Sequence, residues 1–274
     1  MELDYIIDYL AKRPEIKNIP IRWDATGYTE DFFNNWAASP AFSGWEGDRP
    51  DEEEADTIAG LLQVKPGEAL LDIACGYGRH AVVFTGKYRQ EVTGIDISPG
   101  LIAAAKKNAA GKGLKIRYEA KSAADIAWKN TFHTAIIVNN SFSLIAPEQA
   151  QAVLEKVHRA LKPGGRLFLD IDNKPFNCRY GEYAARWHHW PIGLTLQEVY
   201  FHRDISVETN RDISLVKGSE RIHEFIIFKR IYAADEIKEL LTKSGFKVTQ
   251  TYGDWDLSPL TEASPKMLLA AVKE

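Results

Sequence analysis

From residue 69 to residue 173 short apolar runs and longer helical runs alternate without a break, and few folds satisfy that order. ALLDIA (69–74), EVTGIDI (91–97), LKIRYEA (114–120), HTAIIVNNS (133–141) and RLFLDID (166–172) read as strands. RHAVVFTGKY (79–88), PGLIAAAKKNAAGKG (99–113) and PEQAQAVLEKVHRALKPGG (147–165) read as helices between them. Strands alternating with helices of this length predict βαβ units and a parallel sheet. Right-handed crossovers then put helices on both faces. ADEIKELLTKSGF (234–246) predicts a further helix closing on glycine, and KVTQTY and KMLLAAV predict two final strands.

The chain outside this stretch divides into two further parts. Residues 1–62 read as an N-terminal helical cap. Leu3, Ile6, Ile7 and Leu10 fall at helical spacing up to Pro14, and Phe32, Phe33 and Trp36 make a second apolar face. The acidic run Asp51 to Glu54 opens the next helix, where carboxylates suit the dipole. After residue 173, residues 175–193 show no clear period. The segment that follows alternates, with turn signals at Glu208-Thr209-Asn210 and Lys217-Gly218-Ser219. Three or so antiparallel strands are expected there. The predicted domains are thus a cap or lid at 1–62, a core at 63–173, a β insertion covering a substrate at 174–232, and a closing helix and strands at 233–274.

Charge and cysteine content exclude several classes. There are 34 Lys and Arg against 38 Asp and Glu, a formal net charge of −4. Nonspecific nucleic-acid binding, which needs a basic surface, is not expected. Cys75 and Cys178 are the only cysteines and form no zinc or redox spacing. No metal site and no membrane span are expected, and the acidic N-terminus is unlike a secretory signal, so a cytoplasmic protein is predicted.

LLDIACGYGRH (70–80) carries the chemistry. Gly76 and Gly78 follow a strand and open a helix, where backbone without side chains lets a ligand approach. Gly76-x-Gly78-x-x-Ala81 also fits the loose dinucleotide pattern. Asp96, at the end of the second strand, is placed to bond ribose hydroxyls in either case. Asp72 discriminates, because a carboxylate beside a pyrophosphate is unfavourable. It suits the sulfonium and ammonium cations of S-adenosyl-L-methionine. The alternative is that Asp72 only caps the helix or bonds loop amides.

In these residues the sequence resembles the class I S-adenosylmethionine-dependent methyltransferases over roughly residues 53–173. LLDIACGYGRHA resembles their first motif, VTGIDIS their acidic second motif, FHTAIIVNNSFSLI the fourth-strand motif, and ALKPGGRLFLDI the turn before the fifth. CGYGRH, NNSF and the tail YGDWDLSPLTEASPKMLLAAVK are similar to a bacterial and archaeal subgroup of presumed small-molecule methyltransferases. The resemblance implies a Rossmann-like sheet, mostly parallel with an antiparallel C-terminal strand, carrying the cap and the β insertion.

It also implies site roles. The Ala74–Gly78 backbone, Cys75 included, would cradle the methionine part, Asp96 the ribose, and Ile97 the adenine. Where the family has Gly-Asp before Ala after the third strand, this chain has Ser122 and Ala123 in AKSAADIAW, so Ser122 or Asp125 would meet the adenine amino group. Asn139, Asn140 and Ser141 end the fourth strand where donor meets acceptor, or only cap the loop. Arg79 either pairs with the methionine carboxylate or lies solvated at its helix end.

Acceptor-site candidates come from the parts that the core does not need. RYGEYAARWHHW (179–190) places His188 and His189 between Trp187 and Trp190, as an aromatic lid and base or as packing under the insertion. Adjacent histidines point differently and have no acid at ligand spacing. In RIHEFIIFKRIY (221–232), His223 is a candidate base or a structural strand residue. Arg230 and Tyr232 share a face and resemble acceptor-pocket positions in the subgroup. Phe32, Phe33 and Trp36 could close as a lid or simply pack.

The function so implied is methyl transfer to N or O of a small molecule by in-line displacement. The alternatives are a non-catalytic S-adenosylmethionine-binding protein and an NAD(P)-dependent oxidoreductase. An aminopropyltransferase lacks its acidic polyamine motif here. The NNS stretch lacks the Pro-Pro-aromatic arrangement of nucleic-acid amino-methylating enzymes.

Overall fold

The computed structural model describes residues 3–23, 51–179, 181–190 and 193–274. Phe32, Phe33 and Trp36 lie outside these residues. In chain order the elements are α1 (Leu3–Ala11), α2 (Asp51–Leu62), β1 (Ala69–Ile73), α3 (Arg79–Gly86), β2 (Glu91–Asp96), α4 (Pro99–Gly111), β3 (Arg117–Ala120) and β4 (Phe132–Ile137). They continue with α5 (Pro147–Ala160), β5 (Leu161–Asp172), α6 (Lys174–Cys178), β6 (Tyr183–Trp190), β7 (Gly193–His202), β8 (Val207–Val216), β9 (Ile222–Arg230), α7 (Ala234–Lys243), β10 (Phe246–Tyr252) and β11 (Lys266–Lys273).

The seven-stranded sheet has the order β10-β11-β5-β4-β1-β2-β3. β1 to β5 are parallel neighbours in register, while β11 runs antiparallel to both β5 and β10. Strand order reverses between β4 and β1, so a crevice opens beyond their carboxyl ends, the usual ligand position in such sheets.

Local chemistry sets the helix ends that border the crevice. Pro99 follows Ser98, whose Oγ accepts from the Leu101 N–H at 3.1 Å, starting α4. In α5, Ala150, Val153, Leu154, Val157 and Ala160 form one buried stripe at helical spacing. That stripe and α7 pack on one sheet face against Leu71, Ile73, Ile137 and Leu169. α2, α3 and α4 pack on the other against Leu70, Ile136, Phe168 and Leu268. Both faces of the sheet are therefore covered, as the near-continuous apolar strands require.

Residues 174–232 hold more order than their sequence suggests. They form α6 and a four-stranded antiparallel sheet, β6-β7-β8-β9: β7 to β9 are the strands of the alternating segment, and β6 adds a fourth from residues without a clear period. The signal at Glu208-Thr209-Asn210 is not a turn but lies inside β8; the chain reverses earlier, at residues 203–206. These polar residues sit in a buried strand because they satisfy each other. The Asn210 Nδ2 donates to Glu208 Oε1 at 2.7 Å, and the Lys229 Nζ on β9 donates to the same oxygen at 3.1 Å. The second signal is a turn, with Gly218 at φ +81°. The N-terminal segment is tied to this sheet. Tyr9 Oη donates to Glu224 Oε2 at 2.5 Å and Arg211 Nη1 to the Pro14 carbonyl at 2.8 Å. Among the described residues no helix is long and apolar enough to cross a membrane.

Candidate cofactor and acceptor cavity

The crevice beyond β1, β2 and β4 is a cavity of about 360 Å³. Its floor is the loop 74–77. Ala74 adopts φ +57°, a conformation that costs a non-glycine residue roughly 1–2 kcal/mol. Gly76 follows at φ +55°, and a Cβ built on it would meet no atom within 4 Å, so open space lies over its backbone. Gly78 differs. Its φ is +78°, and a Cβ there would fall 2.3 Å from the Tyr118 hydroxyl. Gly78 does not line the cavity. Close packing against β3 is what requires glycine at this position.

Asp96 braces that floor. Its Oδ2 accepts from the Gly76 N–H and its Oδ1 from the Ser98 N–H, both at 2.9 Å. Each oxygen keeps a further lone pair for a ligand hydroxyl. Burial raises its pKa, and the two backbone bonds counter that rise.

Asp72 is 2% exposed. It receives one backbone hydrogen bond from Ala81 in the first turn of α3, while its Oδ2 has no partner among the described residues. The helix-capping reading and the ligand reading therefore each claim part of the carboxylate. Burial pushes its pKa up to about 7, against the pull of Arg79 and with a further push from Asp96. A buried carboxyl poised there ionises readily once a cation arrives.

Arg79 is not solvated at its helix end. Its Nη1 lies 3.0 Å from Asp51 Oδ1 and 2.6 Å from Glu54 Oε2, joining α3 to α2. Glu54 also holds His80, with Nε2 at 2.8 Å. Burial opposes ionisation of Glu54, but the His80 hydrogen bond and the Arg79 charge outweigh it and hold its pKa low. Burial lowers the His80 pKa, which keeps the ring neutral. With Glu54 ionised, Nε2 carries the proton and Nδ1 is the acceptor nitrogen, without a partner among the described residues. Both Arg79 and His80 line the cavity. Sequence reasoning noted the acidic run only as a helix start and assigned His80 no role, because the pair forms between two helices 26 positions apart.

Ile97, Ser122, Ala123, Asn139 and Ser141 also line the cavity, with Ala74, Cys75 and Gly76. Ser122 Oγ accepts from the Ala124 N–H at 3.2 Å and caps a short turn at Ala123–Asp125. Asp125 is not on the cavity wall. Ser141 Oγ donates to the Val138 carbonyl at 2.7 Å. Asn140 does not line the cavity. Its Nδ2 donates to Asp172 Oδ2 at 2.6 Å and its Oδ1 accepts from the Asp172 N–H at 3.0 Å, fastening β4 to β5. Both ends of the Asn140 amide are thus engaged in a clasp.

The other candidates lie apart from the cavity wall. His188 and His189 sit on β6 opposite Thr195 and Leu194, and Trp187 beside them is 57% exposed. His223 Nε2 lies 3.3 Å from Ser219 Oγ. Arg230 pairs with Glu236 on α7 at 2.9 Å. Tyr232 is buried against Phe142, and burial pushes its hydroxyl up to about 12, so it stays protonated at neutral pH. These side chains are replaced on the wall by two that sequence reasoning passed over, Arg22 and Trp23. Trp23 packs on Phe228 of β9, with ring centroids 6.2 Å apart.

Comparison with known proteins agrees with this geometry. Residues 70–165 match a family model described as a methyltransferase domain. An uncharacterized methyltransferase of Synechocystis, sll0829, is 30% identical over 134 residues; the match covers 47% of this chain and 55% of that protein. The chain thus spans about half the length of this curated relative. The CcbJ methyltransferase of Streptomyces caelestis has a similar structure, with a TM-score of 0.76 at 16% identity, covering 90% of this chain and 98% of that one. The sugar N-methyltransferase KedS8 of Streptoalloteichus gives a TM-score of 0.63 at 16% identity, covering 96% and 99%.

Proposed function

We propose that this chain, which has the class I S-adenosylmethionine-dependent methyltransferase fold around the methyltransferase domain at residues 70–165, transfers a methyl group to nitrogen or oxygen of a small molecule. The observation that carries the reading is the unpartnered, buried Oδ2 of Asp72 on a cavity wall beside open space over Gly76. An unmet acceptor there costs free energy in the empty protein and is met by an ammonium group. A pyrophosphate would meet repulsion from the same oxygen.

When bound, S-adenosylmethionine supplies a methyl group activated by its sulfonium for in-line displacement. The chain's own residues hold and orient. Asp72 takes the ammonium, Asp96 the ribose hydroxyls, Ile97, Ser122 and Ala123 the adenine. Arg79 reaches a carboxylate only in competition with Asp51 and Glu54. Asn139 and Ser141 border the place of transfer. Holding donor and acceptor in line supplies roughly 7–11 kcal/mol of barrier reduction. Where the acceptor must lose a proton, the base in this reading is neutral His80, which lines the cavity and is held by Glu54 through Nε2. A cavity of about 360 Å³ suits a small acceptor, and a sugar N-methyltransferase of similar structure is consistent with one. In this reading the N-terminal segment and the second sheet cover the acceptor.

Calorimetric titration with S-adenosylmethionine, S-adenosylhomocysteine and NADH tests the cofactor. Micromolar adenosyl binding without NADH binding is expected, followed by radiolabelled methyl transfer to a panel of amines and hydroxy compounds. Tighter NADH binding would return the chain to the dinucleotide reading. Adenosyl binding with no transfer to any acceptor would favour a non-catalytic binding protein.

A further inference from the structure

The cavity wall is divided in charge. Asp72 and Asp96, from the core sheet, line it with carboxylates, while the N-terminal segment and β9 line it with Arg22, Trp23 and Phe228. Among the described residues three cationic side chains reach the wall, and their partners differ. Arg79 is matched to Asp51 and Glu54, and Lys121 lies 2.6 Å from Glu119. Arg22 has no carboxylate partner among the described residues, and it is exposed to solvent at the wall. The Trp23 and Phe228 rings beside it are tilted by 58° and form an apolar wedge.

We infer that Arg22, Trp23 and Phe228 form the acceptor subsite, and that it takes a planar-ring acceptor bearing an anionic oxygen group, a carboxylate or a phosphate. The inference rests on the methyltransferase reading above and names its substrate class. The two carboxylates of the core wall complement a cationic donor, and a second cation beside that donor would be repelled. The opposite wall offers a guanidinium that no carboxylate among the described residues pairs, and its planar fork fits carboxylate or phosphate. Tilted aromatic rings receive a flat ring in edge-to-face or offset contact and exclude water from it. Trp23 and Phe228 come from parts of the chain outside the parallel core, so they are free to set specificity without altering the cofactor floor.

The test is calorimetric titration of protein saturated with S-adenosylhomocysteine, using benzoate, phenyl phosphate, benzamide and benzylamine as probes. One of the two anions is expected to bind about fivefold or more tightly than benzamide, and benzylamine least. Benzoate ahead of phenyl phosphate identifies a carboxylate acceptor, and the reverse a phosphate; either supports the subsite. In Arg22→Gln the advantage of the anions over benzamide should vanish, with S-adenosylhomocysteine affinity within about twofold of wild type. In Trp23→Ala all ring probes should weaken together. Equal binding of benzoate and benzamide, retention of the preference in Arg22→Gln, or no probe binding at all would overturn the subsite. Failure of S-adenosylhomocysteine itself to bind wild type would instead overturn the methyltransferase reading.

Discussion

The carboxyl end of the parallel sheet and the β6–β9 sheet both carry residues of the kind that do chemistry, but they hold them differently. At the end of β1 and β2, acids are buried and their valences are counted out. Asp96 is held by two backbone N–H groups, while Asp72 keeps an oxygen unmet over an open cavity. On β6, His188 and His189 stand beside a Trp187 that is 57% exposed, apart from the wall of the cavity at the end of β1 and β2. Residue type is the same currency in both places, but burial with an unmet bond distinguishes a ligand site from a decorated strand.

This contrast is broken most severely at the ion cluster under the cavity. Glu54→Ala leaves Arg79 and His80 buried without their shared acid, and should cost about 3 kcal/mol, lowering Tm by roughly 6–12 °C in a thermal melt. Asp96→Ala removes the brace of the Gly76 loop, and S-adenosylhomocysteine affinity should fall about a hundredfold by calorimetry.

Asp72→Asn sharpens the comparison, because its two effects oppose each other. At pH 8 it should weaken S-adenosylhomocysteine binding about tenfold. Without ligand it should stabilise the fold. The folded pKa of Asp72, about 7, lies above the ordinary 3.8, so the native state favours the protonated acid. Wild-type stability from this group is then greatest below pH 4 and falls as pH rises towards 7. The Tm advantage of the Asn variant should accordingly grow between pH 5 and about pH 7. His188→Ala and His189→Ala should change S-adenosylhomocysteine affinity by less than about twofold, and a larger loss would move the site towards the second sheet.

The parts of this arrangement that sequence made legible are those written locally. The βα alternation, the Gly76 loop and Asp96 all lie in strand ends and adjoining turns, where spacing alone decides position. Gly78 was legible as a glycine but not in its reason, since Tyr118 approaches it from β3. Glu54 with His80, and Trp23 with Phe228, depend on which helices and sheets meet, and no period in the chain encodes that. Glu208-Thr209-Asn210 has the composition of a turn but lies in a strand paired on both sides, with Lys229 of β9 bonded to Glu208.

The most direct measurement is the affinity of wild type and Asp72→Asn for S-adenosylhomocysteine between pH 6 and pH 8. If the free Asp72 carboxyl receives the ligand's ammonium, wild-type affinity rises about tenfold across that interval, as expected for one group titrating near 7, while the variant stays flat. A flat wild-type profile, or equal affinity in the two proteins at pH 8, would show that Asp72 only caps its helix.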